Sequence, residues 1–214
     1  MIIAVDGTAA SGKGTIAKAL ARHYRLPHLD TGLLYRAVAA TVRRLDLDPT
    51  READAVAACD FDDLTLADPV LRTGEIGELA SIVSAHPLVR AALLQRQKRF
   101  AQQPGGAVLD GRDIGTVIAP DADAKLFVKA TPQIRARRRH TELQAHGSTL
   151  SYDKVLADLR ARDARDAGRD VAPLTMAPDA MPLDTSFLSI EAAVQRAIQL
   201  VERRLAANAA PGSN

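Results

Sequence analysis

Several features that would assign this chain of 214 residues to a specialised class of protein are scarce or absent. Cys59 is the single cysteine, so an intrachain disulfide is impossible and a reducing compartment is expected. No apolar run approaches the roughly 18 residues that a membrane helix needs. Residues 1–6 lack the basic start and the cleavage site of a signal peptide. We therefore expect a cytoplasmic protein that does not associate with membranes.

The chain also has little net charge and few aromatic residues. The formal net charge is only +2, and the chain has three tyrosines and no tryptophan. Proteins that bind nucleic acids combine positive surfaces with aromatic side chains on which bases stack. We therefore expect no nucleic-acid partner. The alternative is an RNA-binding module that uses the arginines between Arg135 and Arg169, and steeply salt-dependent RNA binding would support it.

The order of the predicted elements indicates the fold class. Hydrophobic residues make up 47% of the chain and charged residues 25%, as in an ordinary globular domain. Predicted strands alternate with predicted helices, which indicates an α/β fold of three layers, a five-stranded parallel sheet flanked by helices. The predicted strands are 2–6, a short one ending at Leu29-Asp30, 107–110, 124–130 and 182–185. The predicted helices are 12–24, 33–45, 74–85, 87–103, one beginning at Thr131-Pro132, 151–167, and one capped by Ser189.

We expect a single domain with two insertions and a short tail. The core comprises residues 1–45, 101–137 and 171–205, and the insertions are about 46–100 and about 138–170. Part of the first insertion, 46–71, is rich in Asp and Ala and has no clear periodicity. Residues 206–214 are expected to be disordered.

A glycine-containing loop follows the first predicted strand and opens the first predicted helix. Its pattern, GxxxxGK, is typical of the phosphate-binding loop (P-loop), in which glycines let backbone N–H groups point at a phosphate. The positive end of the helix dipole adds to the attraction. Lys13 is predicted to contact the β- and γ-phosphates of a nucleotide. The loop consists of Gly7, Thr8, Ala9, Ala10, Ser11, Gly12, Lys13, Gly14 and Thr15.

The loop departs from the plain motif at one position. Gly14 follows Lys13, where the plain motif has a Ser or Thr that binds Mg²⁺. Thr15 is the candidate ligand instead. In the alternative, the phosphates and water hold the ion, because Mg²⁺ loses its waters reluctantly.

Three arginines lie where a second phosphate group could be bound. Arg112 follows the third predicted strand, and ligands of parallel sheets bind at that edge. Arg36 lies in the predicted helix 33–45, and Arg169 follows the predicted helix 151–167. Taken one at a time, each is also explained as a solvated or ion-paired surface residue.

Taken together, several segments are similar to those of the cytidylate kinases, from Ile2 to about Leu205. The matching segments are GTAASGKGT at 7–15, DTGLLYR at 30–36, LRTGEIGELAS at 71–81, VR at 89–90, DGRDIGT at 110–116, RDARDAGRDVAPL at 162–174 and LDTSFLSIE at 183–191. The resemblance implies a P-loop nucleoside monophosphate kinase that transfers the γ-phosphate of ATP, with Mg²⁺, to CMP or dCMP. It also implies that 46–100 binds the acceptor and that 138–170 forms a lid.

The resemblance assigns roles to individual residues. Lys13, Arg112 and Arg169 are implied to be catalytic. Arg138 and Arg139 are implied to contact ATP together with the P-loop, and Arg135 to belong to the same lid helix. The implied CMP-binding residues are Thr31, Tyr35, Arg36, Ser81, Arg90, Arg112, Asp113, Arg162, Asp166 and Arg169, of which Arg36, Arg112 and Arg169 bind the phosphate, Ser81, Arg90 and Asp113 the cytosine, and Tyr35, Arg162 and Asp166 surround the sugar.

Two other functions remain as alternatives. One is a P-loop kinase for a different nucleotide or for a small metabolite such as shikimate. The other is a nucleotide-dependent switch, although the guanine-binding motif Asn-Lys-x-Asp does not occur in the chain. We expect a monomer. The preference between CMP and dCMP and the extent of UMP use stay open at this point.

Overall fold

The computed structural model describes residues 1–145 and 147–209. Its centre is a sheet of five strands in the order β2-β3-β1-β4-β5, and every neighbouring pair is parallel. This arrangement confirms the predicted fold class. The strands are β1 (Ile2–Gly7), β2 (His28–Asp30), β3 (Ala107–Gly111), β4 (Ala124–Lys129) and β5 (Met181–Asp184).

The central strand β1 is covered on both faces. Ile3, Ala4 and Val5 are completely buried, because successive side chains of a strand point to opposite faces and helices cover both. Ile3 and Val5 pack in one cluster with residues of α1 and α8, whereas Ala4 packs in another with residues of α5. The short apolar run at the start of the chain therefore forms the middle of a three-layer structure.

Eight α-helices surround the sheet within the described residues. They are α1 (Lys13–Tyr24), α2 (Thr31–Arg44), α3 (Glu52–Ala57), α4 (Gly74–Val83), α5 (Pro87–Ala101), α6 (Pro132–Ala145), α7 (Tyr152–Ala167) and α8 (Ile190–Ala209). Short 3₁₀ turns occur at Asp63–Ala67 and Pro69–Arg72, and a π-helical turn at Ile114–Ile118. None of these helices is long and apolar enough to cross a membrane.

Side-chain caps account for several helix starts. Asp30 accepts a hydrogen bond from Gly32 N, so α2 begins at Thr31 rather than at the predicted Leu33. Ser151 caps α7, and Ser189 accepts from Ala192 N at the start of α8, as predicted.

Helix α8 continues to Ala209, so the expectation of disorder is wrong for residues 206–209. Residues 210–214 lie outside the described residues.

Each of the two predicted insertions contributes to an apolar cluster that is separate from the clusters around β1. Leu34 and Val38 of α2 pack with Leu71, Ile76 and further residues of the 46–100 segment. A smaller cluster joins the facing sides of α6 and α7 to Ala9 of the P-loop. Both segments therefore pack against elements that follow the carboxyl ends of β1 and β2.

The residues that lead into β3 lie very close to the start of β1, and substitutions there test this contact. Gly105 and Gly106 both have positive φ angles, but a Cβ on Gly106 would lie 1.9 Å from Met1 O, whereas a Cβ on Gly105 would contact nothing within 4 Å. We expect both Ala variants to lose about 1 kcal/mol or more to backbone strain. Only Gly106→Ala should lose a further ~1–3 kcal/mol, because the clash displaces β1 from β3.

Urea unfolding of the two variants measures this difference. Equal free energies of unfolding for Gly105→Ala and Gly106→Ala would contradict the close approach of the two chain segments.

Candidate active site

The topology brings two loops together at one edge of the sheet. The chain leaves β1 toward β2 on one side and leaves β3 toward β4 on the other, and a crevice forms at such a switch point in parallel sheets. Because Val5 pairs with Asp110 and Asp6 with Gly111, the P-loop after β1 lies beside the Arg112-Asp113 loop after β3. Both segments singled out in the sequence are therefore neighbours.

The P-loop has the backbone geometry of an anion-binding site. Ala10 and Gly12 have left-handed conformations with φ angles of 57° and 90°. Gly12 precedes α1 without any side-chain hydrogen bond to the first N–H groups of that helix. These N–H groups and the helix dipole are therefore directed at a ligand position. At Gly7, a Cβ would lie 2.0 Å from Val128 O, so only glycine lets the loop leave β1 beside β4.

Lys13 forms an ion pair with Asp110 at the carboxyl end of β3. The Nζ–Oδ2 distance is 3.4 Å, and His28 Nε2 lies 2.8 Å from Oδ1 of the same carboxylate. Burial, and then the charge of Arg112, lower the pKa of Lys13. Burial alone would raise the pKa of Asp110, but Lys13 and His28 outweigh it and lower that pKa. No sequence pattern pairs Lys13 with Asp110, and the available signal was the position of Asp110 at the end of a predicted strand.

A cavity of about 730 Å³ lies over the P-loop and is called the P-loop cavity here. Arg138 is fixed at its wall by hydrogen bonds to Thr185 O (2.6 Å), Thr185 Oγ1 (3.0 Å) and Ser11 O (3.4 Å). Thr15 and Arg139 also line it, and Leu188 and Ile190 give it an apolar end. Of the predicted ATP contacts, the lining includes Ala10, Ser11, Gly12, Lys13, Gly14, Thr15, Arg138 and Arg139.

On the other side of Lys13 lie two further cavities. The outer cavity, about 360 Å³, is lined by Arg36, Arg139 and Ala9 among others, and the inner cavity, about 40 Å³, by Tyr35 and Asp113 among others. The two cavities share four lining residues, which are Lys13, Gly32, Arg112 and Arg162. A ligand held between them would be in contact with Lys13, which also lines the P-loop cavity.

The three predicted phosphate-binding arginines do not all line one cavity. Arg36 lines the outer cavity, Arg169 the inner one, and Arg112 lines both. Arg36 donates to Leu71 O (2.6 Å) and Thr73 O (3.2 Å). Arg112 therefore occupies the central position between the other two.

Two buried guanidinium nitrogens in this region have no hydrogen-bond partner among the described residues. They are Nε of Arg162 and one terminal nitrogen, Nη2, of Arg169. Burial, followed by the charge of Arg112, lowers the pKa of Arg162 to about 10, so this side chain is still a cation at neutral pH. Buried unpaired donors are costly. An anion bound between the cavities would satisfy both of them.

Asp166 balances part of this positive charge. It lies 2.7 Å from Arg112 Nε, and its carboxylate is almost fully buried. Burial alone would raise the pKa of Asp166, but Arg112 and Arg162 lower it further than burial raises it. Asp166 thus stays ionised and holds Arg112 in place.

The inner cavity ends in a buried ion pair. Arg90 Nη2 lies 2.5 Å from Asp113 Oδ2, and the guanidinium carbon lies 5.4 Å from the centre of the Tyr35 ring. Both charged side chains are at least 93% buried. Thr31 lines the same cavity and donates its hydroxyl to Asp110 O. This end of the site therefore presents a flat aromatic ring beside fixed polar groups.

Ser81, which we expected to contact a base, lies outside both cavities. Its hydroxyl accepts a hydrogen bond of 3.1 Å from Arg165 Nε. Ser84, one helical turn later, lines the inner cavity instead, and its carbonyl oxygen accepts from Arg90 and Arg169. Ser84 is the residue that caps the end of α4, and its distance of three residues from Ser81 was the only signal for it in the sequence.

Arg135, in helix α6, supports the P-loop from behind. It is 2% exposed, donates to Ala9 O and pairs with both carboxylate oxygens of Asp163. It ties the P-loop to α6 and α7 and lines none of the three cavities, in contrast to Arg138 and Arg139.

Two side-chain oxygen atoms beside the P-loop are suitable ligands for a Mg²⁺ ion that would bind together with a nucleotide. Asp110 Oδ2 is buried without a hydrogen-bond partner among the described residues, although Lys13 is close by. Thr15 adds a hydroxyl on the P-loop side. Across residues 1–145 and 147–209, no three His, Cys, Asp or Glu side chains form a group that could hold a metal ion by themselves.

Comparisons with known proteins agree with this arrangement. The sequence model of the cytidylate kinase family matches residues 3–203. The chain is 58% identical over 206 residues to a cytidylate kinase of Xanthobacter autotrophicus, covering 96% of this chain and 99% of that protein. It is also 58% identical to a cytidylate kinase of Azorhizobium caulinodans, covering 95% and 98%.

A solved structure supports the fold independently of close sequence similarity. An uncharacterised protein from Eubacterium ventriosum superposes with a TM-score of 0.55 at 15% identity and covers 95% of this chain and 98% of its own. The family match extends over nearly the whole chain, and the segments that it includes form the P-loop and both neighbouring cavities. The chain therefore belongs to the cytidylate kinase family.

Proposed function

We propose that this protein transfers the γ-phosphate of ATP to CMP or dCMP and releases ADP with CDP or dCDP. The observation that carries the proposal is the junction at Lys13, where the P-loop cavity meets two arginine-lined cavities. A phosphotransferase must hold two polyanions in contact, and fixed cations have to offset their repulsion. The names of the curated relatives supply the identity of the acceptor.

The acceptor phosphate is proposed to bind between the outer and inner cavities. Arg112 and Arg162 line both of them, whereas Arg36 lines only the outer cavity and Arg169 only the inner one. The unpartnered nitrogens of Arg162 and Arg169 are suited to phosphate oxygens, which arginine binds with paired hydrogen bonds. Asp166 would keep Arg112 oriented. Together with Tyr35 and Arg162, it is also proposed to surround the sugar of the acceptor.

The cytosine ring is proposed to enter the inner cavity. Cytosine carries an amino donor at N4, which a carboxylate such as Asp113 can accept, and Arg90 can donate to the ring acceptors. Uracil presents an oxygen where cytosine has the amino group, and two acceptors would then face each other. The Tyr35 ring, already beside Arg90, offers an apolar surface to the base or the sugar.

ATP is proposed to occupy the P-loop cavity. Its phosphates would accept hydrogen bonds from the P-loop N–H groups, with Lys13, Arg138 and Arg139 in reach. Thr15 and Asp110 are the residues that would hold a Mg²⁺ ion bound with ATP. When bound, this ion neutralises charge on the phosphates.

The reaction needs no strong general base. The acceptor phosphate has a second pKa near 6, so its oxygens are mostly ionised at neutral pH. The work of the protein is then to align the two nucleotides and to stabilise negative charge on the transferred group. Lys13, Arg112 and Arg169 are proposed to do this.

The two insertions are proposed to act as moving parts. The 46–100 segment would bind the acceptor, and the 138–170 segment would act as a lid that excludes water. Contacts between them already link α7 to α4, through Arg165 and Glu78 at 2.6 Å and through Arg162 and Gly77 O. We further propose that the protein acts as a cytoplasmic monomer without nucleic-acid or membrane partners.

A nucleotide panel tests the activity itself. In a coupled assay of ADP release with Mg-ATP, CMP and dCMP should give the highest kcat/KM, and UMP and AMP should be lower by at least tenfold. Shikimate should give no ADP release above background. A chain that prefers AMP, or that consumes ATP equally without acceptor, would contradict the proposal.

Arg169→Ala tests the phosphate-binding role. Because it removes a charge-assisted contact worth about 2–4 kcal/mol in the transition state, kcat/KM for CMP should fall by about 30- to 1000-fold. The affinity for ADP, measured by calorimetry, should change by less than twofold. Arg160→Ala is the matched control, since Arg160 is an exposed arginine of α7. An equal loss of ADP affinity would place Arg169 in the donor site.

Asp113→Asn tests the recognition of the base. An amide can present its NH₂ group to the uracil O4, so the ratio of kcat/KM for CMP to that for UMP should fall about tenfold or more. Both values should be measured on the same preparation, with the melting temperature as the control for folding. An unchanged ratio would mean that Asp113 does not contact the base.

A further inference from the structure

Asp6, at the carboxyl end of β1, is buried and is not explained by the proposed chemistry. Its two carboxylate oxygens accept hydrogen bonds of 2.8 Å from Ile114 N and Gly115 N. These are the first N–H groups of the π-helical turn, and Asp113, which precedes the turn, makes no side-chain capping bond. A residue 108 positions away therefore caps this turn across the sheet.

The capped turn begins directly after two residues of the proposed acceptor site. Arg112 and Asp113 precede Ile114 in the chain, and both line the inner cavity. Asp6 in turn precedes Gly7, the first residue of the P-loop. One buried carboxylate thus connects the loop that would bind the acceptor with the strand that carries the donor-binding loop.

We propose that Asp6 is a positioning residue that holds Arg112 and Asp113 in place relative to the P-loop, and so sets the acceptor in line with the γ-phosphate. This inference rests on the proposed transfer from ATP to CMP. The donor loop itself depends less on the carboxylate, because Gly7 is fixed by its pairing with Val128 and its close approach to that backbone.

The surroundings of Asp6 make it costly as a purely structural residue. Burial raises the pKa of Asp6 to about 6, although the hydrogen bonds from the two N–H groups act to lower it. The charged neighbours of Asp6 are Asp113 and Arg112, and Lys125 of β4 packs against Gly115. A carboxyl whose pKa rises on folding stabilises the fold most at low pH, and this stabilisation is lost between pH 4 and about 6. At pH 8 the buried charge therefore lowers stability.

Asp6→Asn separates positioning from folding. The variant keeps one acceptor and the shape of the side chain but carries no charge. At pH 8 we expect kcat for CMP to fall by about tenfold or more and KM for CMP to rise, because a 1 Å displacement of positioned groups can slow a reaction about 100-fold. The ADP affinity by calorimetry should stay within twofold of the wild type. The melting temperature, relative to wild type, should rise as the pH increases from 5 to 8.

Gly115→Ala perturbs the same contact from the other side. A Cβ on Gly115 would lie 3.3 Å from Asp6 Oδ2 and 3.1 Å from Lys125 Cδ, and Gly115 has no positive φ. It should show the same pattern of lower kcat and retained ADP affinity, so the test remains decisive if Asp6→Asn fails to fold. Asp123→Asn is the control: Asp123 also accepts from a β1 backbone group, Ile2 N at 2.7 Å, but at the remote end of the strand. It should leave kcat unchanged.

The outcomes separate this inference from the proposed function. A wild-type protein that does not phosphorylate CMP refutes the function. An active wild type whose Asp6→Asn and Gly115→Ala variants keep kcat and KM refutes the positioning role. The role is also refuted if Asp123→Asn lowers kcat as much as Asp6→Asn and Gly115→Ala do.

Discussion

The arrangement of the site depends on positive charge held away from water at one edge of the sheet. Lys13, Arg112 and Arg162 share cavity walls, and burial together with mutual repulsion lowers the pKa of both Lys13 and Arg162. Asp110 and Asp166 offset part of this repulsion through close ion pairs. The remaining excess of cations is suited to phosphate groups, because bound anions would pair donors that are otherwise buried without partners.

The adjacency of β1 and β3 brings the components of this site together. β1 leads into the P-loop and β3 into the Arg112-Asp113 loop, although about 100 residues separate the two segments in sequence. The intervening chain forms the 46–100 segment, which packs on α2 and covers the inner cavity. Parallel strands with their carboxyl ends at one edge therefore let distant segments of the chain contribute to the same cavities.

Particular residues show where sequence patterns were sufficient and where they were not. The order of strand, glycine loop and helix at the start of the chain was predictable, because the glycines meet a local backbone requirement that neighbouring residues satisfy. Ser81 was placed in the base site by its motif, but its hydroxyl bonds to Arg165, and Ser84 lines the cavity instead. Arg135 resembled Arg138 and Arg139 in sequence and lies on the same face of α6, three and four residues before them. Its position nearer the start of the helix, and not the helical phase, sets it against Asp163 and Ala9 O.

Sequence patterns were sufficient for the five strands, for every α-helix except α3, and for the family. Each of these depends on local patterns or on residue identities in a fixed order. The folded arrangement alone sets which side chains share a cavity and which donors lack partners. It also places Asp6, Asp110 and His28 beside the site. These properties arise from strand pairing and burial between residues far apart in the chain. No local pattern specifies such contacts, since the same carboxylate is a solvated surface group or a buried anchor according to what folds against it.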